Sequence, residues 1–238
     1  APSFGFSMFG DPVTAYDSIG NLYYQNMYGS GSIQGAKVIK STNNGVTWSP
    51  AVTGVMGNDK NWIACDQTSG PYANYVYCTM TNSGSGAFWR STNQGTSFAS
   101  TYSFSTQSLP GMMVAVGPKT GSPDVPGGVV YVVTHSGSNA AGTYTFYVST
   151  DGGTSFTLKS ANQFSNVIGT EISGRSTVQG MRTRPYPMIA ADNSYGPYRG
   201  RLYLVYASNN PAGSGGKSDI FSRYSTDQGA TWSQPVIV

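Results

Sequence analysis

Short apolar runs alternate with clusters of Gly, Asn, Ser and Thr along the whole chain. Residues 14–23 show the pattern: Thr-Ala-Tyr-Asp, a turn that contains Gly20, and then Asn-Leu-Tyr. Similar segments occupy residues 63–77 and 189–203, and a divergent one spans 114–131. Each predicts two strands joined by a turn, because runs rich in β-branched and aromatic residues form strands and Gly and Asn form turns.

A second repeat follows each of these segments and has the pattern Ser-Thr-Asp/Asn-x-Gly-x-Thr/Ser-aromatic. Its four copies, none with a gap, lie at residues 41–48, 91–98, 149–156 and 225–232. Asp or Asn closes a turn by accepting hydrogen bonds from nearby backbone amides, and Gly adopts a positive φ there. Each octet therefore predicts a β-turn followed by an aromatic anchor at the start of a new strand.

The two repeats together give four strands per unit, which is typical of a propeller blade. A β-sandwich would also contain many short strands, but it would not repeat one octet at one place in every unit. The sequence predicts an all-β propeller of four-stranded antiparallel blades. The blades are expected at residues 10–54, 58–105, 108–160 and 184–238, with a long blade-crossing loop at 161–183.

The octets resemble the Asp-box, or BNR repeat, of sialidases and their relatives. In that family the box is a structural turn between the third and fourth strands of a blade, on the face away from the active site. The resemblance assigns this turn role to Asn43, Asn93, Asp151 and Asp227. Sialidases of the family close with six blades, and the fourth unit here stops within its last strand, so we expect further blades or domains outside this segment.

Composition narrows the class of partner and the cellular location. Charged residues make up 10% of the chain, aromatic residues 13%, and the net charge is only +3, which argues against nucleic acid. No segment reaches the roughly 20 apolar residues of a membrane span. The abundant Tyr, Asn, Ser and Thr suit a secreted or cell-surface protein, most simply one exported by a bacterium, and the start at Ala1 suits a mature end after leader removal.

Two cysteines, Cys65 and Cys78, fall on the two strands of one expected hairpin. A disulfide between them would agree with export, and two free buried thiols are the alternative. The single histidine argues against a zinc site. We expect no required cofactor, and the sequence leaves calcium open without naming a site for it.

The top face of a propeller is the predicted functional surface, because first strands line the axis and begin there. Trp62 and Tyr186 are predicted to stack on a sugar ring, and Arg182 and Arg184 to hold a carboxylate. The remaining candidates for polar contacts with the ligand are Asp11, Asp59, Lys60 and Asn61. The alternative for the charged members of this set is that they form salt bridges between blades near the axis.

The residues that a sialidase requires are missing in part. No arginine precedes Arg90, the Arg-Ile-Pro type motif expected before the first box is absent, and Glu171 is the only glutamate. The sequence therefore favours a non-catalytic module that binds a glycan or a protein. The alternative is a glycoside hydrolase of exo-sialidase type, for which Asp11 and Asp59 are the candidate carboxylate pair.

Overall fold

The computed structural model describes residues 4–118, 127–138, 141–166, 170–172, 175–178, 180–209 and 218–238. All the regular structure in these ranges is β-strand. Four antiparallel four-stranded sheets are arranged in a ring, and they form a four-bladed β-propeller. The predicted fold class is confirmed.

Within each blade the strands follow one another in chain order, each paired with the next. Blade one contains β1 (Met8–Tyr16), β2 (Leu22–Ser30), β3 (Ser32–Ser41) and β4 (Val52–Met56). Blade two contains β5 (Asp59–Cys65), β6 (Val76–Asn82), β7 (Ser85–Ser91) and β8 (Ala99–Phe104). Blade three contains β9 (Met113–Gly117), β10 (Val129–Ser138), β11 (Ala141–Ser149) and β12 (Thr157–Asn166). Blade four contains β16 (Met188–Ala191), β17 (Leu202–Ser208), β18 (Asp219–Ser225) and β19 (Val236–Ile237).

Each Asp-box octet forms the turn between the third and fourth strands of its blade. In the first box the Asn43 Oδ1 atom accepts the backbone N–H of Thr47 at 2.9 Å, and the Ser41 hydroxyl accepts the N–H of Gly45 at 2.8 Å. The same pair of bonds recurs in the other three boxes through Asn93, Asp151 and Asp227. Repetition of these bonds explains why the octet has the same spacing in every blade.

Aromatic side chains fill the interfaces between blades. Phe146 of blade three and Phe221 of blade four are both almost fully buried in one cluster. The aromatic residue of the fourth box, Trp232, packs on Phe146 with ring centroids 4.4 Å apart. The third box does the same with Phe156 on Phe88 of blade two, at 4.9 Å. The third and fourth boxes therefore form turns of their own blades and also anchor those blades to the preceding ones.

The segment at 161–183, predicted as a loop, carries strands instead. The last strand of blade three continues to Asn166, and a small antiparallel sheet follows, made of β13 (Thr170–Ile172), β14 (Arg175–Val178) and β15 (Met181–Arg182). Gly180, with a φ of +79°, makes the tight turn between the last two. The sequence of this segment is mostly polar, so it lacks the alternation of apolar and polar residues by which a strand is recognised. The strands form nevertheless, through pairing of their backbones.

The predicted disulfide is also wrong, because Cys65 and Cys78 are free and buried. Across β5 and β6, Cys78 pairs with Ile63 and Cys65 pairs with Val76. The cysteines are thus diagonal neighbours, which typically lie about 7–8 Å apart, whereas a disulfide usually needs Cα atoms closer than about 6.8 Å. Burial raises the pKa of both thiols well above the ordinary value, so both remain protonated.

Candidate functional site

Two of the first strands begin with a β-bulge at the top of the propeller. The register of β1 shifts between Gly10 and Val13, and that of β5 shifts between Asp59 and Asn61. In each bulge a non-glycine residue has a positive φ, 51° for Asp11 and 49° for Lys60. Such backbone is costly for a side-chain-bearing residue and bulges re-aim side chains, so both residues are held in unusual directions close to the axis.

The larger of two cavities at this end has a volume of about 240 Å³. The first strands of all four blades contribute to its wall, which includes Asp11, Lys60, Trp62, Met112 and Tyr186. The Trp62 side chain is half-buried and packs against two of the aromatic clusters between blades. An apolar ring fixed by the core beside charged groups suits a sugar, because aromatic faces stack on its C–H face while polar groups bind its hydroxyls.

A smaller cavity of about 130 Å³ adjoins the first and shares Tyr186 with it. Its wall includes Asp59, His135, Arg182 and Arg184. Burial raises the pKa of Tyr186, so its hydroxyl stays protonated at neutral pH and can donate a hydrogen bond. The smaller cavity is therefore polar and rich in hydrogen-bond donors, whereas the larger one is more apolar.

All eight predicted top-face residues line one or both of these cavities. Those in the larger cavity are Asp11, Lys60, Asn61, Trp62 and Tyr186, and those in the smaller one are Asp59, Arg182, Arg184 and Tyr186. The structure thus brings together residues from blades one, two and four and from β15. Whether they bind a ligand stays a prediction.

Lys60 joins three blades at the centre of the site. Its Nζ atom lies 2.7 Å from the Asp11 carboxylate of blade one and 5.7 Å from the centroid of the Tyr186 ring of blade four. Burial alone would lower the pKa of Lys60, but the hydrogen bond and the charge of Asp11 raise it above its ordinary value. For Asp11 and Lys60, the alternative of an inter-blade salt bridge is therefore what the structure contains.

Asn61 has a structural contact beneath the larger cavity. It is almost fully buried, and its amide donates a 2.8 Å hydrogen bond to the Gln25 side chain of blade one. The Asn61 Oδ1 and Gln25 Nε2 atoms have no hydrogen-bond partner. This amide pair tightens the contact between blades one and two at the cavity floor.

The two arginines differ in their surroundings. Arg182 is exposed, whereas Arg184 is half-buried and its Nη1 atom is buried without a hydrogen-bond partner. Among the described residues the one ion pair is that of Lys60 with Asp11, so neither arginine is paired with a carboxylate there. An unpaired guanidinium in a cavity favours an anion, since paired N–H donors match carboxylate geometry.

His135 is a cavity residue that the site prediction did not include. It lies in β10, is almost fully buried, and its Nδ1 atom is 3.0 Å from the Pro110 carbonyl oxygen. Gln107 fixes the same segment by accepting the His135 backbone N–H at 2.7 Å. The Nε2 atom has no partner, and burial lowers the pKa of the imidazole, so the ring is neutral at neutral pH. His135 belongs to neither of the two repeats. It follows a run of apolar residues in blade three, and no other blade has a histidine at the corresponding place.

Within the described ranges, no group of three or more His, Cys, Asp or Glu side chains is placed to hold a metal ion. Calcium therefore remains an expectation from the sequence without a site. No helix in the same ranges is long and apolar enough to cross a membrane.

Comparison with known proteins connects the boxes to a described repeat. The BNR/Asp-box repeat model matches residues 223–234, which contain the whole of the fourth box. A search of curated proteins returns no match.

Solved structures share the fold at low sequence identity. An α-L-arabinofuranosidase from Fusarium graminearum superposes with a TM-score of 0.57 at 12% identity over 100% of this chain and 68% of that one. An ulvan lyase gives 0.56 at 10% identity over 97% and 56%, and a Hadza microbial sialidase gives 0.52 at 15% identity over 96% and 45%. The chain spans less than two thirds of the lyase and sialidase chains. Together with the four boxes and the repeat match, these likenesses show that this chain is an Asp-box β-propeller of sialidase-like fold.

Proposed function

We propose that this chain is a secreted or cell-surface propeller that binds an acidic glycan at its top face without chemical turnover. One observation carries the proposal: two adjoining cavities meet at Tyr186, one of them more apolar and the other lined by two arginines that form no ion pair with another described residue. Trp62 and Tyr186 would contact a sugar ring, and Arg184 with Arg182 would hold its carboxylate or sulfate. The three related structures are those of an arabinofuranosidase, an ulvan lyase and a sialidase, which act on carbohydrates, and this supports the ligand class.

A small ligand fits this site better than a protein does. The cavities measure about 240 and 130 Å³, a scale suited to one or two sugar rings. A stable protein interface would instead bury roughly 800 Å² on each partner. The proposal therefore commits to a glycan over a protein ligand.

The absence of turnover is supported by the position of the two candidate carboxylates. Asp11 is held by Lys60 at 2.7 Å, and it lines the larger cavity, whereas Asp59 lines the smaller one. Glycoside hydrolysis needs two carboxyl groups that flank one scissile bond. A carboxylate engaged by an ammonium group in another cavity is poorly placed for that task.

Glycoside hydrolysis is the second candidate function, and one observation favours it. Asp59 shares the smaller cavity with both arginines and Tyr186, so a carboxylate lies beside the proposed anion site. An acidic sugar bound there would have an acid or base within the same cavity. The two candidates differ in product formation, which makes them separable in one assay.

The test measures binding of acidic oligosaccharides and their neutral counterparts by calorimetry, together with release of reducing ends. We expect binding of the acidic set, a loss of about tenfold or more in affinity for Arg184→Ala, and no product. Arg199→Ala is the matched control, because Arg199 lies on the hairpin between β16 and β17 at the opposite end of the propeller. Equal binding of neutral sugars, or equal losses in both variants, would contradict the proposal. Product formation that Asp59→Asn abolishes would establish the hydrolase.

A further inference from the structure

Two residues in the wall of the smaller cavity carry buried polar atoms without a hydrogen-bond partner. The atoms are Nε2 of His135 and Nη1 of Arg184. His135 lies on β10 of blade three, and Arg184 lies between β15 and β16, so the two approach the cavity from different blades. Because nearly all buried polar atoms in folded proteins are hydrogen-bonded, two such atoms in one cavity point to a site for an external group.

The hydrogen bond at the other ring nitrogen fixes the chemistry of His135 Nε2. The Nδ1 atom lies 3.0 Å from the Pro110 carbonyl oxygen, which can only accept, so Nδ1 carries a proton and donates it. Burial lowers the pKa of the ring more than the bond to Pro110 raises it, and the charge of Arg184 lowers it further. The ring is therefore neutral at neutral pH, and its Nε2 atom is a hydrogen-bond acceptor.

The surroundings of His135 hold its ring and leave one side of Nε2 without a side chain. Gln107 accepts the His135 backbone N–H at 2.7 Å, and the centroids of the Tyr144 and Tyr186 rings lie 5.5 and 6.3 Å from that of the imidazole. Gly142 of β11 lies beside Nε2, where a Cβ atom would be only 2.8 Å from that nitrogen. Any other residue at this position would crowd the acceptor.

Arg184 supplies the complementary donor. Its guanidinium has N–H donors and no acceptor, and it forms no ion pair with a described carboxylate. A ligand carboxylate or sulfate only accepts, so it satisfies Arg184 and leaves the acceptor of His135 unpaired. A hydroxyl group also donates, so a hydroxyl next to the acidic group satisfies His135 as well.

Asp59 is a second hydrogen-bond acceptor in this cavity, but it suits an acidic ligand less well. Its Oδ1 atom already accepts the backbone N–H of Lys60 at 3.0 Å. Its carboxylate would also repel the acidic group of the ligand, whereas the neutral imidazole of His135 would not. His135 is therefore the favoured acceptor for a hydroxyl that lies next to an acid.

We infer that the smaller cavity recognises a uronic acid at the end of a glycan chain, with its carboxylate on Arg184 and its 4-hydroxyl donating to His135. The inference rests on the proposed function and narrows its ligand class. A uronic acid carries its carboxyl group and its 4-hydroxyl on adjacent ring carbons, so both can enter a cavity of about 130 Å³ together. In a 1,4-linked chain the 4-hydroxyl is free only at the non-reducing end, so the site selects chain ends.

Calorimetric titration of the unaltered chain tests this inference with three ligands: an oligosaccharide that ends in glucuronic acid, its 4-deoxy analogue and its neutral glucose counterpart. The glucuronic acid ligand should bind about tenfold or more tightly than the 4-deoxy analogue, because loss of the hydroxyl leaves a buried acceptor unpaired. The neutral counterpart should bind more weakly than both. Equal binding of the glucuronic acid ligand and its 4-deoxy analogue would overturn this inference alone. Failure of every acidic oligosaccharide to bind would overturn the proposed function as well.

Two substitutions of His135 separate recognition of the hydroxyl from folding. His135→Asn keeps an N–H donor close to Pro110 and removes Nε2, so it should bind the glucuronic acid ligand and the 4-deoxy analogue equally. His135→Gln places an amide near the position of Nε2 and should keep part of the preference. An undiminished preference in His135→Asn, or an equal loss of affinity for both ligands, would overturn the inference. Circular dichroism shows whether each variant is folded, and the ligand pair on the unaltered chain decides if one is not.

Discussion

A pair of glycine substitutions measures how much a box contributes to blade packing. Gly45 and Gly95 occupy the same position in boxes one and two, with φ of +84° and +74°. A Cβ atom on Gly45 would meet its nearest neighbour, the Trp48 ring, at 3.5 Å, an ordinary contact. A Cβ atom on Gly95 would lie 2.6 Å from the Tyr23 ring, which belongs to the preceding blade.

The expected losses follow from these distances. Both Gly→Ala changes place a side chain at positive φ, which costs about 1–2 kcal/mol in each. Only Gly95→Ala adds an overlap with a ring that is 0% exposed and cannot move aside, at a further cost of about 1–3 kcal/mol. Gly95→Ala should therefore be the less stable variant by about 1–3 kcal/mol, or roughly 2–12 °C in Tm for a chain of this size.

Urea unfolding followed by circular dichroism gives both free energies. Similar slopes against urea would show that the two variants expose the same surface on unfolding. Equal losses for Gly45→Ala and Gly95→Ala would refute the packing argument. That result would mean that backbone strain alone sets the cost and that boxes do not anchor neighbouring blades.

Three further predictions concern titratable groups. Burial holds the pKa of His135 below its ordinary value of 6.5, so the unfolded chain takes up a proton first and stability falls as pH drops below 6.5; His135→Gln should flatten this part of a stability–pH curve measured by urea unfolding. Hydrogen bonds from Ser155 outweigh the burial of Asp151 and lower its pKa to about 2 from 3.8, so its contribution is present above pH 3.8 and lost as pH falls through 2. Asp151→Asn, which copies the residue of boxes one and two, should fold at neutral pH and lose less stability in acid; an unchanged acid profile would contradict this account. Cys65 and Cys78 should both be free by mass spectrometry and should react with a thiol reagent only after unfolding, whereas labelling of the native chain would show that the burial is wrong.

The sequence predicted the blades well because their turns are chemically specific. An octet with Ser, Asn or Asp, and Gly at fixed spacing has one set of hydrogen bonds to make, and all four copies make it. The octets also fix the order of the strands in each blade, which explains why the top-face residues of blades one and two could be identified from the sequence. First strands begin at one end of every blade, so residues such as Asp11 and Lys60 had to approach the axis together.

The errors arise where the sequence lacks such a repeated signal. Strand β12 and the small sheet after it are rich in polar residues, and their pairing depends on backbone hydrogen bonds that no side-chain pattern reports. The disulfide prediction failed because two cysteines on adjacent strands need direct opposition, and the register is offset by two residues. His135 was missed because it occurs in one blade only, and its role depends on the fold of residues 107–111 against it.

The most direct test of the central claim is a crystal structure of the chain with the acidic oligosaccharide that binds most tightly. We expect a sugar ring against Trp62 and Tyr186 in the larger cavity, with its acidic group within hydrogen-bond distance of Arg184 in the smaller one. A glycan bound at the box turns, or at any surface away from the propeller axis, would contradict it.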